Sequence, residues 1–327
     1  MRLIRLVVIL ALSLALAPLA VGAQQVGKVY RVGVLASSTE SNFAPSVRIF
    51  REALYAAGWV EGRNLTLDVR YPGDQYARLQ ELASELVKLK VDVLASLGTP
   101  ATLAAKRATT TIPIVMESLS DVVSTGLVPN LARPGGNLTG VSGFAPELSG
   151  KRLELIREIL PQADRIAVFA NRANPVTTSI LSATELAAQH MRMKLHVVEV
   201  RQIAELATAF ETVRRERADA LVLVADPLLF SARLQIVQLA ARHRMPTVYE
   251  TRLFPDAGGL LSYGPLAQER FERMALYVDR ILRGAQPGDL PIEQPTKFEL
   301  VINLKTAKAL GLTIPQTLVQ RADQVIQ

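Results

Sequence analysis

The amino-acid sequence predicts an α/β protein with two Rossmann-like lobes, each built on a parallel sheet, joined by a multi-segment hinge. Short β-like runs alternate with amphipathic helical segments, which is typical of βαβ units. The same order of elements occurs twice along the chain. The chain has 327 residues, of which 49% are hydrophobic, and this length suffices for two domains with cores of their own.

Both halves are predicted to carry the strands of a parallel sheet. In the first half the predicted strands are residues 29–35, 65–71, 92–97, 112–116 and 138–142. In the second half they are residues 165–170, 195–200, 220–224 and 247–249, and a last strand follows at 298–302.

Helices are predicted between these strands from the spacing of apolar residues. In the segment 43–57, Phe43, Val47, Phe50 and Leu54 fall on one helical face, and Asn42 precedes it as a candidate cap. The other helices are predicted to begin at or just after Asp74, Thr99, Glu147, Asn174, Ile203, Asp226, Ala267 and Thr306.

Three pairs of segments show that the halves are copies of one topology. Residues 31–36 align with 165–170, residues 91–94 with 218–221, and residues 112–118 with 245–251, in the same order and at a nearly constant offset. Glu117 and Glu250 therefore occupy equivalent positions.

Domain boundaries follow from the repeat. We expect an N-terminal lobe at 28–144, with residues 265–285 crossing back to it, and a C-terminal lobe at 145–264 with part of 286–327. The sequence does not show which lobe the last segment joins.

The first 23 residues have the three-part pattern of a secretory signal peptide. Arg2 and Arg5 precede an apolar run at 6–16, and small residues end at Ala23 before Gln24. The run is shorter than the roughly 20 residues that a membrane span needs, although an uncleaved anchor is the alternative. We expect cleavage after Ala23 and release to the periplasm. The chain has no Cys, so a lipoprotein anchor, disulfides and thiolate metal sites are excluded.

The positive charge does not indicate a nucleic-acid partner. The formal net charge is +7, but basic and acidic residues are interspersed and only 5% of residues are aromatic, which leaves little surface for base stacking. We expect no nucleic-acid binding.

Polar residues follow the predicted strands of both lobes, where ligands of open parallel sheets bind. These candidates are Ser37, Ser38, Thr99, Glu117, Ser118, Asp121, Asn171, Asn174, Asp226, Glu250 and Thr251. Helix-start N–H groups and hydroxyls suit a carboxylate, and the acidic residues suit an ammonium group. The pattern predicts a small polar or zwitterionic solute in a cleft between the lobes.

Each candidate also has a purely structural interpretation. Thr99 and Asn174 are good helix caps without any ligand, Asp226 is a helix-start residue, and Asp121 is a turn residue. Glu117 and Glu250 are the stronger candidates, because their equivalent positions point both toward the same cleft.

The sequence carries none of the common motifs for catalysis. His190, His196 and His243 have no metal-ligand spacing, no Gly-x-Gly-x-x-Gly follows a first strand, and no Gly-x-Ser-x-Gly elbow occurs. We predict no enzymatic activity, no cofactor and no metal.

The sequence resembles the solute-binding proteins of the tryptophan/tyrosine-type ABC transporters. The resemblance runs over essentially the whole chain after residue 23 and is carried by residues 99–101, 111–115, 126–128, 134–140, 281–284 and, most specifically, 298–312. It implies a type I periplasmic-binding-protein fold, with a three-segment hinge and no catalysis. It also implies a receptor that captures a small polar or amino-acid-like solute by lobe closure and delivers it, as a monomer, to permease subunits in the inner membrane.

The chain departs from the family where the ligand should bind. Asp121 is followed by Val122, where relatives commonly have Asp-Pro, and the loop 37–42 also differs. The solute is therefore not specified by the resemblance.

Other functions fit the same features. One is a periplasmic sensing module for a membrane receptor, and another is a two-domain enzyme, which the missing motifs disfavour. A transcriptional regulator needs a helix-turn-helix before the first strand, where the predicted signal peptide stands.

Overall fold

The computed structural model describes residues 28–327 except residues 74, 119, 120, 124 and 144. The predicted signal peptide and the predicted helix start at Asp74 lie outside the described residues.

The N-terminal sheet has five parallel strands in the order β2-β1-β3-β4-β5. The strands are β1 (Tyr30–Ala36), β2 (Leu65–Arg70), β3 (Val93–Leu97), β4 (Ile114–Ser118) and β5 (Leu138–Ser142). Three helices connect them: α1 (Glu40–Ala56), α2 (Leu79–Lys88) and α3 (Thr99–Ala108).

The C-terminal sheet has seven strands in the order β12-β11-β10-β9-β8-β6-β7, and only the β10–β11 pair is antiparallel within the described chain. The strands are β6 (Arg165–Ala170), β7 (Lys194–Glu199), β8 (Ala220–Leu223), β9 (Thr247–Tyr249), β10 (Leu261–Pro265), β11 (Phe298–Asn303) and β12 (Gln324–Ile326). The remaining helices are α4 (Ala145–Ile159), α5 (Thr177–His190), α6 (Leu206–Arg215), α7 (Pro227–Ser231), α8 (Arg233–Arg242), α9 (Leu253–Asp256), α10 (Ala267–Leu282), α11 (Leu304–Leu310) and α12 (Gln316–Arg321).

The two sheets share one topology. The order β2-β1-β3-β4-β5 of the first is repeated as β7-β6-β8-β9-β10 in the second. The three aligned sequence pairs fall on β1 and β6, β3 and β8, and β4 and β9, so each pair occupies equivalent strands. The predicted fold class is confirmed.

Three segments connect the lobes. The chain crosses from β5 to α4, returns from β10 to α10, and crosses again between Glu293, which bridges to Val141, and β11. Helix α10 packs on α1, where Phe271 and Met274 share a buried cluster with Phe50. The last segment, with β11 and β12, completes the C-terminal sheet.

Several element boundaries differ from the sequence prediction. Helix α1 begins at Glu40 after Thr39, so Asn42 lies in its first turn and is not its cap. The Asn42 side chain donates to Ser38 Oγ at 3.2 Å and to Thr39 Oγ1 at 2.7 Å. Similarly, Gly98 rather than Thr99 precedes α3, with a φ of +91° that favours glycine.

Further differences lie in the second lobe. The helix predicted after Asn174 begins at Thr177, and the helix predicted up to His243 is divided into α7 and α8 at Ala232. Strand β10 was not predicted, because its Gly264-Pro265 end reads as a turn signal in sequence.

Candidate functional site

A cavity lies between the two lobes, at the carboxyl ends of strands from both sheets. Its lining includes Glu117 near the end of β4 and residues of the loops after β3, β6, β8 and β9, together with residues of α1 and α10. Its volume is about 130 Å³, against the roughly 10–15 Å³ that one water needs. The cavity therefore accommodates a solute of the size of an amino acid.

The structure brings some of the sequence-predicted residues into the cavity lining and places others beside it. The lining contains Thr99, Glu117, Asn174, Asp226, Glu250 and Thr251. The residues Ser37, Ser38, Ser118, Asp121 and Asn171 are not part of it.

Ser37 and Ser118 support the start of α3 beneath the cavity. Ser37 Oγ donates to the carbonyl of Leu97 at 2.7 Å and accepts the N–H of Ala101 at 3.1 Å. Thr99 Oγ1 and Ser118 Oγ are hydrogen-bonded at 2.7 Å. These hydroxyls fix the strand ends and the helix start in one arrangement.

Glu117 forms a buried ion pair with Arg270, a residue of α10 that also lines the cavity. Arg270 Nη1 donates to Glu117 Oε1, and their side chains are 11% and 5% exposed. Burial lowers the pKa of Arg270 to about 10, so it stays charged at neutral pH. Within the described residues, Arg270 Nε has no hydrogen-bond partner.

Arg270 was missed in the sequence analysis, although the sequence holds a signal for it. Ala267, Met274 and Val278 form the apolar face of α10, and position 270 falls on that face at helical spacing. A charged residue on a buried face needs a partner or a ligand. The signal is therefore an arginine inside an otherwise apolar stripe.

Glu250 is the cavity carboxylate with an unpartnered oxygen among the described residues. It is 5% exposed, and its Oε2 has no hydrogen-bond partner among the described residues. Burial raises its pKa to about 7, and the charge of Arg152 opposes that rise. Glu250 therefore titrates near neutral pH.

Arg152, on α4, is buried behind Glu250 and was also not predicted. Its Nε donates to the carbonyl of Tyr263 at 3.0 Å. Burial lowers its pKa to about 10, so it remains a cation at neutral pH. The cavity region therefore combines the buried Arg152 and the largely buried Arg270 with three buried acids, Glu117, Asp226 and Glu250.

The Asp226 carboxylate is hydrogen-bonded mainly to other groups of the protein. Its Oδ1 accepts the N–H groups of Leu228 at 2.9 Å and Leu229 at 3.2 Å, and its Oδ2 accepts Asn174 Nδ2 at 3.0 Å. Asn171 Nδ2 donates to the same carboxylate at 3.3 Å. Burial raises the pKa of Asp226, and these hydrogen bonds oppose the rise. Its helix-start role, foreseen as an alternative, is present in the structure.

Asp121 occupies a turn outside the cavity. Its Oδ1 accepts the N–H of Val123 at 2.9 Å. This is the turn role foreseen as the alternative to ligand contact.

Much of the cavity wall is apolar. Phe43, Phe230 and Phe271 contribute rings, and prolines and aliphatic side chains surround them. No group of three or more acidic or histidine side chains that suits a metal ion occurs in the part of the chain that the structure describes. An apolar wall with a few charged groups is typical of sites for small organic solutes.

Two open α/β lobes of one topology, joined by three segments around such a cavity, define the type I periplasmic-binding-protein class of solute receptors. The chain belongs to the family of ABC transporter substrate binding proteins, whose model matches residues 31–326. The resemblance read from the sequence is therefore confirmed, and so is the function of a solute receptor for an ABC importer. Proteins of this family bind their substrates outside the cytoplasm and are not an enzymatic type.

Individual relatives agree with this assignment. A tyrosine-binding protein of Clostridioides difficile is 28% identical over 268 residues, which cover 80% of this chain and 75% of that protein. A crystal structure of a conserved domain protein from Vibrio cholerae matches with a TM-score of 0.87 at 29% identity, covering 91% of this chain and all of the other. A Streptococcus pneumoniae ABC domain in complex with L-Trp matches with a TM-score of 0.85 at 24% identity, covering 91% and 99%.

None of the helices in the described residues has the length and apolar character needed to cross a membrane.

Proposed function

We propose that the cavity binds an amino-acid-like solute with its cationic group at Glu250 and its anionic group at Arg270. The observation that carries this assignment is the pair of buried, oppositely charged side chains in one cavity, each with a polar atom that the described residues leave unpartnered. Burying such a group without a partner costs free energy, and a zwitterionic solute supplies both partners. Thr99, Glu117, Asn174 and Thr251 are the further contacts that we assign to the solute.

The three phenylalanines of the cavity indicate the rest of the solute. Phe43, Phe230 and Phe271 offer apolar surface that a polar side chain does not use. We infer an amino acid with an apolar or aromatic side chain. The tyrosine-binding relative and the L-Trp complex support this class.

Capture proceeds by closure of the two lobes. Glu250 belongs to the C-terminal lobe, and Arg270 lies on the α10 helix that packs on the N-terminal lobe. A solute that contacts both favours the closed form by its differential affinity for the two forms. The closed receptor then docks, as a monomer, on the permease subunits of an inner-membrane ABC transporter.

We infer that residues 1–23 are a signal peptide cleaved after Ala23, and that the chain works in the periplasm. We also infer that the receptor binds its solute without converting it, because the chain belongs to a substrate-binding family and not to an enzymatic one.

A thermal-unfolding screen tests the proposal. The chain without residues 1–23 is heated with a panel of amino acids, small carboxylates and nucleosides. A bound solute raises the melting temperature by mass action, and we expect apolar or aromatic amino acids to give the largest shifts. No shift across the whole panel would contradict the receptor function. Shifts from carboxylates or nucleosides alone would contradict the proposed solute class.

A further inference from the structure

We propose that Tyr76 and Asn42 of the N-terminal lobe form a closure latch that grips one segment of the C-terminal lobe, residues 226–233, and so sets solute affinity without contacting the solute. The inference rests on the proposed function, because a latch matters only if lobe closure captures the solute. It adds positioning residues that lie outside the binding cavity.

The first half of the latch is the phenol of Tyr76. Its ring packs on the hydrophobic core of the N-terminal lobe, next to Leu79 at the start of α2. Its hydroxyl reaches the other lobe, where it donates to Asp226 Oδ2 at 3.2 Å and accepts the N–H of Leu228 at 3.3 Å. One hydroxyl therefore makes two hydrogen bonds across the lobe boundary.

The second half is the side chain of Asn42, on α1. Its Oδ1 accepts Arg233 Nη1 at 2.5 Å. The Asn42 amide nitrogen donates to Ser38 and Thr39, which fixes the orientation in which its oxygen faces Arg233. The Arg233 guanidinium also lies 5.0 Å over the ring of Phe230, which lines the cavity.

Both halves hold the same stretch of the C-terminal lobe. Asp226 caps the start of α7, Leu228 lies in its first turn, and Arg233 begins α8, so the N-terminal lobe contacts this stretch at both of its ends. Tyr76, Asn42 and Arg233 are not part of the cavity lining. Each of these contacts joins one lobe to the other, so opening the lobes would separate the partners.

The latch contacts raise solute affinity because lobe closure and solute binding are linked. A contact that exists only in the closed form raises the population competent for tight binding. Because the contact does not involve the solute, its loss weakens the binding of every solute by the same factor. A residue that touches the solute, by contrast, changes the ranking of solutes.

The test replaces Tyr76 with Phe, which keeps the ring and removes the hydroxyl. The matched control is Tyr55→Phe, since Tyr55 is 66% exposed on α1. We expect Tyr76→Phe to weaken the binding of L-tyrosine and of L-tryptophan by the same factor of about 5 to 30 in calorimetric titrations, as two hydrogen bonds are lost. Arg233→Met is expected to act in the same direction, with the exposed Arg242→Met on the same helix as its control.

Lobe separation is measured in parallel, so that the test does not depend on a known solute. The chain has no Cys, and Glu81→Cys with Leu234→Cys therefore places spin labels at two exposed sites only, one in each lobe. Pulsed electron paramagnetic resonance of the labelled Tyr76→Phe protein is expected to show more of the long, open distance than the Tyr55→Phe protein.

Two outcomes separate the latch from the proposed function. If no solute of the panel binds the wild-type chain, the proposed function fails, and the distance distributions of the solute-free proteins decide about the latch alone. The latch is overturned if Tyr76→Phe and Tyr55→Phe give the same distances and the same affinities, or if Tyr76→Phe changes L-tyrosine and L-tryptophan affinity by clearly different factors.

Discussion

At the scale of single residues, the two equivalent glutamates have different environments. Sequence alignment of the halves identified both Glu117 and Glu250, and both line the cavity. Glu117 is paired with Arg270, whereas Glu250 keeps an unpartnered oxygen among the described residues. The sequence could not show this difference, because the partner of Glu117 lies on a helix that returns to the first lobe from the end of the second.

The pKa of Glu250 predicts how binding depends on pH. Burial raises this pKa to about 7, so the carboxylate that we propose to receive the cationic group of the solute is mostly ionised above pH 7 and mostly protonated below it. We expect the affinity for an amino-acid solute to fall about tenfold from pH 8 to pH 6. Calorimetric titrations over this range provide the measurement. Glu250→Gln should bind the solute weakly, and its affinity should not change between pH 8 and pH 6. The control Glu61→Gln, at an exposed site, should keep the pH dependence of the wild-type chain. A slope that survives in Glu250→Gln contradicts the assignment.

The ion pair of Glu117 and Arg270 predicts a non-additive effect on stability. Arg270→Met leaves the Glu117 carboxylate buried without its cation, and we expect a loss of about 3 kcal/mol in the free energy of unfolding. The double variant Glu117→Gln/Arg270→Met removes both charges and should recover most of that loss. Urea unfolding gives the comparison. Equal stabilities of the single and double variants are the result that speaks against a buried pair.

At the scale of elements, the sequence predicted the strands better than the helix ends. The strands of the cleft are continuous apolar runs, so their positions follow from the residues alone. The start of a helix depends on which polar side chains are hydrogen-bonded to residues that are distant in sequence. Asn42 looked like a cap and instead bridges toward Arg233 in the other lobe, and Ser37 supports α3 from a different strand.

Gly98 joins β3 to α3 and gives a test of how tightly this element is held. Its φ is +91°, and a Cβ there would lie 2.7 Å from Ser37 Oγ, which is held by two hydrogen bonds of its own. Gly58 has a φ of +93° with open space around it, so Gly58→Ala measures the cost of the backbone angle alone. We expect Gly98→Ala to be less stable than Gly58→Ala by about 1 kcal/mol or more in thermal unfolding. Equal losses would show that the start of α3 is free to shift.

At the scale of the whole molecule, the internal repeat made the two-lobed architecture predictable. Three short alignments placed equivalent strands, and the structure has the same strand order in both sheets. The cavity between the lobes followed from the rule that ligands bind beyond the carboxyl ends of parallel strands. The charged groups of the cavity could not all be predicted from the repeat, because Arg152 and Arg270 lie on helices and the repeat compares only strand ends.

We propose that the interlobe cavity holds one zwitterionic amino acid between Glu250 and Arg270. A calorimetric titration of the chain with L-tyrosine, L-tryptophan and the other apolar amino acids tests it most directly. We predict one solute per chain for at least one of them, a negative heat-capacity change from apolar burial, and affinity lost in both Glu250→Gln and Arg270→Gln. Binding that is absent for all of them, or that is unchanged in both variants, would contradict the account.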